Sequence, residues 1–173
     1  MALNKSYRIV NVRNITATHA IIDETDCDEI TLPSTQADKY ILNDNDIIIA
    51  RSGTPGATRL LINPSANTIF CGFIICCTPI QAKYREYFFC CLKQLEGTSA
   101  TKTGGSILQN VSQDTLKELN IIVPPDFVLN KFNEIARQLI NQMHVINCEN
   151  QKLSSLRDFL LPLLMNGQAS IDD

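Results

Sequence analysis

The sequence lacks the motifs that cradle a nucleotide or a dinucleotide cofactor. It has no P-loop, no GxGxxG fingerprint and no Asn-Pro-Pro-Tyr-like tetrapeptide. Its only histidines, His19 and His144, lie in unrelated settings. The acidic cluster at residues 23–29 offers oxygen ligands, but it lacks the strand–Glu-x-Lys context of common nucleases. We therefore predict a protein that is not an enzyme and that binds no cofactor and no metal.

The sequence also lacks long apolar runs and an excess of positive charge. No stretch of about 18 apolar residues occurs, and no charged segment leads into an apolar run at the N-terminus, so we expect neither a membrane span nor a signal peptide. The net charge of −3 disfavours a generic polyanion binder. Residues 14–46 hold eight acids and one base, whereas residues 47–113 hold six bases and two acids. This basic middle indicates an anion-binding face only weakly, because scattered surface charges produce similar asymmetries.

Disulfide-bond and zinc-site patterns are missing although the chain has seven cysteines. The number is odd, and two pairs, Cys76 with Cys77 and Cys90 with Cys91, are adjacent in apolar surroundings. No Cys-x2-Cys pair occurs with further ligands at zinc spacing. A Cys–His nucleophile is left open without local support. We predict reduced, buried thiols and a cytoplasmic protein.

Short strands separated by turns are predicted for the first two-thirds of the chain. Alternation with period two marks residues 7–12, 46–50 and 68–75. Residues 81–95 are predicted to be helical, with Tyr84 and Tyr87 in the core rather than stacked on a ligand. A short helix over residues 113–118, capped by Ser112, and a strand over residues 120–123 complete this part.

A long helix is predicted for residues 127–161, ended by Pro162 and Gly167. Positions spaced alternately four and three apart form a heptad seam, and eight of the ten are apolar. We call these ten positions the seam: Val128, Phe132, Ile135, Leu139, Gln142, Ile146, Glu149, Leu153, Leu156 and Leu160. Packing of the helix on its own domain is the alternative to pairing with another helix.

Three segments together resemble the specificity subunits of type I restriction–modification systems. Residues 40–56 read YILNDNDIIIARSGTPG, similar to the strand–turn motif of that family. Residues 110–125 read NVSQDTLKELNIIVPP, similar to its exit from the recognition domain. Residues 149–168 read ENQKLSSLRDFLLPLLMNGQ, which looks like its C-terminal conserved region. The order and spacing of the three segments are more specific than any one of them.

The resemblance implies an α+β fold, with a target-recognition-domain-like mixed sheet and short helices followed by a long coiled-coil-forming helix. The implied domains are a DNA target recognition domain over residues 1–125 and a conserved-region helix with its tail over residues 126–173. In the family, two recognition domains are spaced by antiparallel helices and read a bipartite site. The partners implied are double-stranded DNA and the methyltransferase and restriction subunits, which carry the chemistry.

The sequence departs from the family pattern in three respects. It holds one recognition domain and one helix, so it resembles half a subunit. The opening segment with its tryptophan is not evident, and residues 126–131 read DFVLNK where family members often carry Glu-Gln. We expect a homodimer through the C-terminal helix, or pairing with another half-subunit. The expected interface residues are Phe132, Ile135, Leu139, Gln142, Ile146, Leu153, Leu156 and Leu160.

Cations, hydroxyls and amides in the basic middle are the candidate DNA contacts, because these groups bind phosphates and base edges. The turn at residues 51–56 offers a guanidinium, hydroxyls and backbone N–H groups, and residues 97–106 are rich in glycine and hydroxyls. The candidates are Arg51, Ser52, Thr54, Arg59, Lys83, Arg85, Ser99, Lys102, Thr103, Ser106, Gln109 and Asn110. An ordinary hairpin turn and a plain surface loop are the alternatives. The alternative function is an interaction module that docks on methyltransferase subunits through its coiled coil without binding DNA.

Overall fold

Six short strands form two three-stranded sheets. The structure is a computed structural model that describes residues 4–96 and 111–168. The strands are β1 (Asn4–Val10), β2 (Asp28–Pro33), β3 (Ile47–Ala50), β4 (Thr58–Leu60), β5 (Thr68–Phe70) and β6 (Ile74–Cys77). One sheet has the order β2-β1-β5, with β1 antiparallel to β2 and parallel to β5. The other has the order β4-β3-β6 and is antiparallel. The predicted α+β fold with a mixed sheet is confirmed.

Helices occupy most of the remaining described chain. They are α1 (Val12–Ala17), α2 (Ser34–Ala37), α3 (Arg85–Leu95), α4 (Gln113–Lys117) and α5 (Asp126–Met165). Single 3₁₀ turns occur at Glu24–Asp26, Asp38–Tyr40 and Ala82–Tyr84. Ser112 caps α4 as predicted, because its side chain accepts the N–H of Thr115. The chain divides into two compact units, Met1–Arg137 and Gln138–Asp173, so the first three turns of α5 belong to the first unit.

The core of the first unit holds β3 in place. All four residues of β3 are buried, since the strand lies at the centre of its sheet and is apolar on both faces. Ile48 and Ala50 pack with Val10 and Ile15 in one apolar cluster, while Tyr7 belongs to a second cluster beside the other sheet. Burial of each isoleucine stabilises the fold by roughly 1.5–3 kcal/mol. The end of β3, which Arg51 follows directly in the sequence, is therefore held in a fixed position.

Three strand predictions need correction. Residues 68–75 form two strands, β5 and β6, because the chain turns at residues 71–73. Residues 120–123 form no strand: Ile122 and Val123 are exposed, and the Ile122 carbonyl accepts the Tyr87 hydroxyl instead of a ladder N–H. Strand β2 begins within the acidic cluster at residues 23–29, where we predicted no strand, and Glu29 there pairs with Arg8 of β1.

The long helix is confirmed, but Pro162 does not end it. Pro162 lies inside α5, which continues to Met165. The helix stops at Gly167, whose φ of +66° is the left-handed conformation that ends many helices. The N–H of Gln168 reaches the Leu163 carbonyl at 2.9 Å, and the N–H of Gly167 reaches the Leu164 carbonyl at 3.2 Å. This pair of bonds is a Schellman motif, which satisfies the last carbonyls without the proline.

Within the first unit, α5 buries a stripe that lies beside the seam. Leu129, Asn133 and Ala136 are buried, with the spacing of four and three that one helix face requires. Seam residues Val128 and Ile135 precede two of these positions by one residue and are exposed. The helix thus packs on its own unit through one face and leaves Val128 and Ile135 of the seam uncovered.

Candidate nucleic-acid interface

The hairpin between β3 and β4 presents Arg51 and Thr54 to solvent. Its backbone is closed at the base by the Gly56 N–H to the Ala50 carbonyl and by the Ala50 N–H to the Ala57 carbonyl, both 2.9 Å. Gly53 has a φ of +80°, and a Cβ there would lie 2.9 Å from a methyl group of Val12. Glycine is required at this position for both reasons. The sequence SGTPG therefore forms a tight turn with a defined shape.

Two other segments meet the hairpin at Arg51. The Arg51 N–H donates to the Phe73 carbonyl at 2.8 Å, and the Arg51 carbonyl accepts the Val111 N–H at 2.9 Å. Val111 is completely buried. We call this meeting point of Arg51, Phe73 and Val111 the Arg51 junction. It joins the hairpin between β3 and β4, the turn between β5 and β6, and the chain that follows residues 97–110.

Arg59, which lies in β4, has a different environment from Arg51. Only 4% of its surface is exposed. Its Nε donates to the carbonyls of Ile15 and Thr18, and its Nη1 donates to the Thr58 carbonyl and to Glu96. Burial acts to raise the pKa of Glu96, but the hydrogen bond from Lys93 and the charge of Arg59 hold that pKa below its ordinary value. The buried Arg59 and the half-buried Glu96 form a hydrogen-bonded ion pair.

A family model described as the type I restriction modification DNA specificity domain matches residues 10–157. The chain belongs to this family. It is also similar to the specificity subunit of the type I restriction enzyme HindI of Haemophilus influenzae, with 27% identity over 136 residues. The match covers 77% of this chain and 29% of that relative, so the chain spans less than a third of the relative's length.

The predicted cations of this specificity domain divide into two groups. Arg59 and Arg85 are buried with internal partners, and Arg85 donates to the Leu61 carbonyl at 3.0 Å while lying 3.7 Å from Glu86. They are therefore left out of the DNA surface that we propose below. Arg51 is exposed, and Lys83 is partly exposed with its Nζ 2.8 Å from Asp126. The hydrogen bond to Asp126 raises the pKa of Lys83, which stays charged.

The remaining predicted DNA contacts stay predictions. Ser52 is half-buried and Thr54 exposed on the hairpin of the specificity domain. Six candidates lie outside the described residues: Ser99, Lys102, Thr103, Ser106, Gln109 and Asn110. Val111, the residue after them, is fixed on the Arg51 backbone. Tyr84 and Tyr87 pack within the first unit, the former stacked on Phe88 and the latter edge-to-face on Phe132.

The apolar seam of the specificity domain is exposed along most of its length. Phe132 is half-buried through its contact with Tyr87. The other predicted interface residues are exposed in the described structure: Ile135, Leu139, Gln142, Ile146, Leu153, Leu156 and Leu160. Six of these residues are apolar, and exposed Val128 adds a seventh. A row of exposed apolar side chains is typical of an interaction surface.

The thiols of the specificity domain are free, as predicted, but half-buried rather than fully buried. Burial is the main cause that raises the pKa of Cys27 and of Cys76 to about 12. Among the described residues, no group of three or more His, Cys, Asp and Glu side chains could hold a metal ion. No helix in that part of the chain is both long and apolar enough to cross a membrane.

Proposed function

We propose that this specificity domain binds duplex DNA sequence-specifically and directs type I methyltransferase and restriction subunits to a bipartite site. The observation that supports this is the Arg51 junction, where an exposed guanidinium and two hydroxyls stand on a backbone held from both sides. Rigid presentation reduces the entropy lost on binding. The methylation and the cleavage belong, in this proposal, to the partner subunits, and the domain itself has no catalytic role.

The DNA contacts proposed from the described residues are Arg51, Ser52, Thr54 and Lys83. Arginine forms bidentate pairs with guanine or with phosphate, and hydroxyls and backbone N–H groups position phosphates. Contacts from residues 97–110 remain part of the proposal because Val111, which follows them in the sequence, is hydrogen-bonded to Arg51. The cytoplasmic location expected from the sequence also stays a prediction.

A salt titration tests DNA binding. A labelled pool of duplexes with a randomised central segment is mixed with the protein alone and with a type I methyltransferase subunit. We expect binding that falls linearly with the logarithm of the salt concentration, because phosphate contacts release counterions. Several rounds of selection should then enrich a sequence motif. Absence of a salt-dependent complex in both arms would contradict the proposal.

We also propose that the seam pairs with the same helix of a second copy, in the antiparallel direction. If a two-fold axis relates the two helices at the level of residue 144, every seam residue of one copy faces a seam residue of the other. Val128 then faces Leu160, and Ile135 faces Leu153, of the second copy. Gln142 then faces Ile146, and Leu139 faces Glu149. Such a dimer would carry two recognition domains and read a palindromic two-part site.

Sedimentation tests the dimer. We expect the unmodified chain to sediment as a dimer at micromolar concentration. Leu139→Asp or Ile146→Asp should sediment as a monomer, since each places a charge where the proposed dimer would bury an apolar side chain near its axis. Lys152→Asp changes an exposed residue outside the seam and serves as the control. A monomer at high micromolar concentration would contradict the homodimer and leave another half-subunit as the partner.

A second candidate function is a non-DNA-binding module that docks on methyltransferase subunits through the helix. The exposed seam and the net charge of −3 favour it. The salt titration separates the two, because only the first candidate yields a complex with DNA.

A further inference from the structure

Phe73 is an exposed aromatic residue on a fixed turn. It lies between β5 and β6 with 62% of its surface exposed. The turn is held by the Cys71 N–H to the Val10 carbonyl at 3.1 Å and by the Arg51 N–H to the Phe73 carbonyl at 2.8 Å. At the neighbouring Gly72, an added Cβ would meet nothing within 4 Å, so this side of the turn faces open space. The backbone therefore presents the ring in a defined place.

The surroundings of Phe73 distinguish it from other exposed apolar residues. Single apolar residues on a surface are common and need no explanation. Phe73, however, is bonded through its backbone to Arg51, the exposed cation on which the proposed DNA surface is built. Ile80 is fully exposed too, but it lies beyond the opposite end of β6. The Arg51 junction thus combines a guanidinium, hydroxyls and an aromatic ring.

We propose that Phe73 packs on the C5-methyl group of a thymine in the major groove, and so contributes to the sequence preference of the domain. This inference rests on the proposed DNA binding. The thymine methyl is the apolar group that base pairs display in the major groove, and phenylalanine is among the side chains that contact it. Arg51 supplies charge and hydrogen bonds at the same point, whereas Phe73 supplies an apolar contact that hydroxyls and guanidinium groups cannot make.

Selection from the randomised duplex pool tests the proposal with four proteins: the unmodified chain, Phe73→Ala, Phe73→Leu and Ile80→Ala. We expect Phe73→Ala to lose the preference for thymine at one position of the motif, with roughly tenfold weaker binding to the motif duplex, comparable to one mismatched base pair. Phe73→Leu keeps an apolar side chain and should keep the thymine. Ile80→Ala is the matched control and should enrich the unchanged motif.

Deoxyuridine in place of that thymine removes only the methyl group from the DNA. The unmodified protein should lose the same factor on the deoxyuridine duplex, and Phe73→Ala should show no further loss there. The measurement on the unmodified protein needs no variant to fold, so it can still disprove the thymine contact if Phe73→Ala is unstable.

Different results would disprove the role of Phe73 and the proposed DNA binding. If the unmodified protein enriches a motif, and Phe73→Ala enriches the same motif with equal affinity, then the role of Phe73 is disproved and DNA binding stands. The role of Phe73 is also disproved if deoxyuridine has no effect at any thymine of the motif. If the unmodified protein enriches nothing and forms no complex, alone or with the methyltransferase subunit, then the proposed function itself fails.

Discussion

Arg51 and Arg59 lie on one hairpin, but their guanidinium groups have opposite surroundings. Arg59 is buried with three backbone carbonyls and Glu96 as acceptors, whereas Arg51 is exposed. Each arginine has one apolar and one hydroxyl-bearing neighbour in the sequence, so composition does not separate them. The carbonyls of Ile15 and Thr18 that hold Arg59 are 44 and 41 residues away in the chain. The sequence therefore predicts the hairpin but not which arginine reaches solvent.

This contrast predicts opposite effects of two alanine substitutions. Arg59→Ala should lower the free energy of unfolding by about 1–3 kcal/mol, because it leaves the carbonyls of Ile15 and Thr18 without this donor and leaves Glu96 with Lys93 alone. Arg51→Ala should change stability by less than about 0.5 kcal/mol. It should instead weaken duplex binding and reduce the salt slope by about 1. Urea unfolding and the salt titration measure the two effects, and equal stability of both variants would show that the Arg59 contacts are unimportant.

The Glu96 carboxyl makes stability depend on acidity. Although burial opposes it, the Lys93 hydrogen bond and the Arg59 charge hold the folded-state pKa of Glu96 below its ordinary value of 4.5. A carboxyl whose pKa is lowered by folding stabilises the protein above the unfolded pKa. That stability is lost as the pH falls below 4.5 and through the folded pKa. Unfolding at a series of pH values should show a steeper acid loss for the unmodified chain than for Glu96→Gln; parallel curves would contradict this.

The raised pKa values of Cys27 and Cys76 predict slow reactions with thiol reagents. Burial is the first cause for both, and nearby carboxylates (Glu24 for Cys27 and Asp46 for Cys76) add to it. With a pKa of about 12, each thiol carries very little of the reactive thiolate at pH 8. Partial alkylation with iodoacetamide followed by mass spectrometry should label these two sites slowly in the folded protein and rapidly in urea. Rapid labelling in both conditions would show that the thiols are not protected.

At the scale of elements, regular periodicity was the reliable signal. The seam repeats over many turns without glycine and therefore predicts a long helix over residues 127–161, and α5 spans 40 residues. Its end was misplaced, because Pro162 stays within a helix when a Schellman motif at Gly167 supplies the final bonds. Short strands were less predictable. Residues 120–123 have strand composition, but no neighbouring strand pairs with them, and pairing depends on distant residues that local pattern does not contain.

The polar seam residue Glu149 offers a gain-of-affinity test of the antiparallel pairing. With the two-fold axis at residue 144, Glu149 faces Leu139 of the second copy. Glu149→Leu should tighten the dimer by roughly tenfold or more, since burying a leucine contributes about 1.5–3 kcal/mol. The matched control is Glu134→Leu, an exposed glutamate of α5 outside the seam. Sedimentation equilibrium measures both, and an unchanged or weaker Glu149→Leu dimer would argue against this register.

At the scale of the whole molecule, the sequence predicted the family and the general plan of the fold. The family match over residues 10–157 confirms the resemblance built on three short motifs. Phe73 and the ion pair of Arg59 with Glu96 were not predicted. Phe73 lies within an apolar stretch that reads as one continuous strand, so its exposure becomes visible only when the turn at residues 71–73 is known. The local sequence does not show features that depend on a turn or on residues far away in the chain.

The division into two units has a consequence for melting. In the described part of Gln138–Asp173, Ile140 is the one buried apolar residue, so this unit has no core of its own. Most of the stability of a protein helix comes from packing of its apolar face, and this part of α5 has little packing within the described chain. The fraction of this unit that is folded should therefore rise with protein concentration, because association with a second copy stabilises only the folded form. Circular dichroism should show a helical transition that moves to higher temperature as the protein is concentrated, separate from a transition of Met1–Arg137 that does not move. A single transition independent of concentration would mean that the helix folds without a partner.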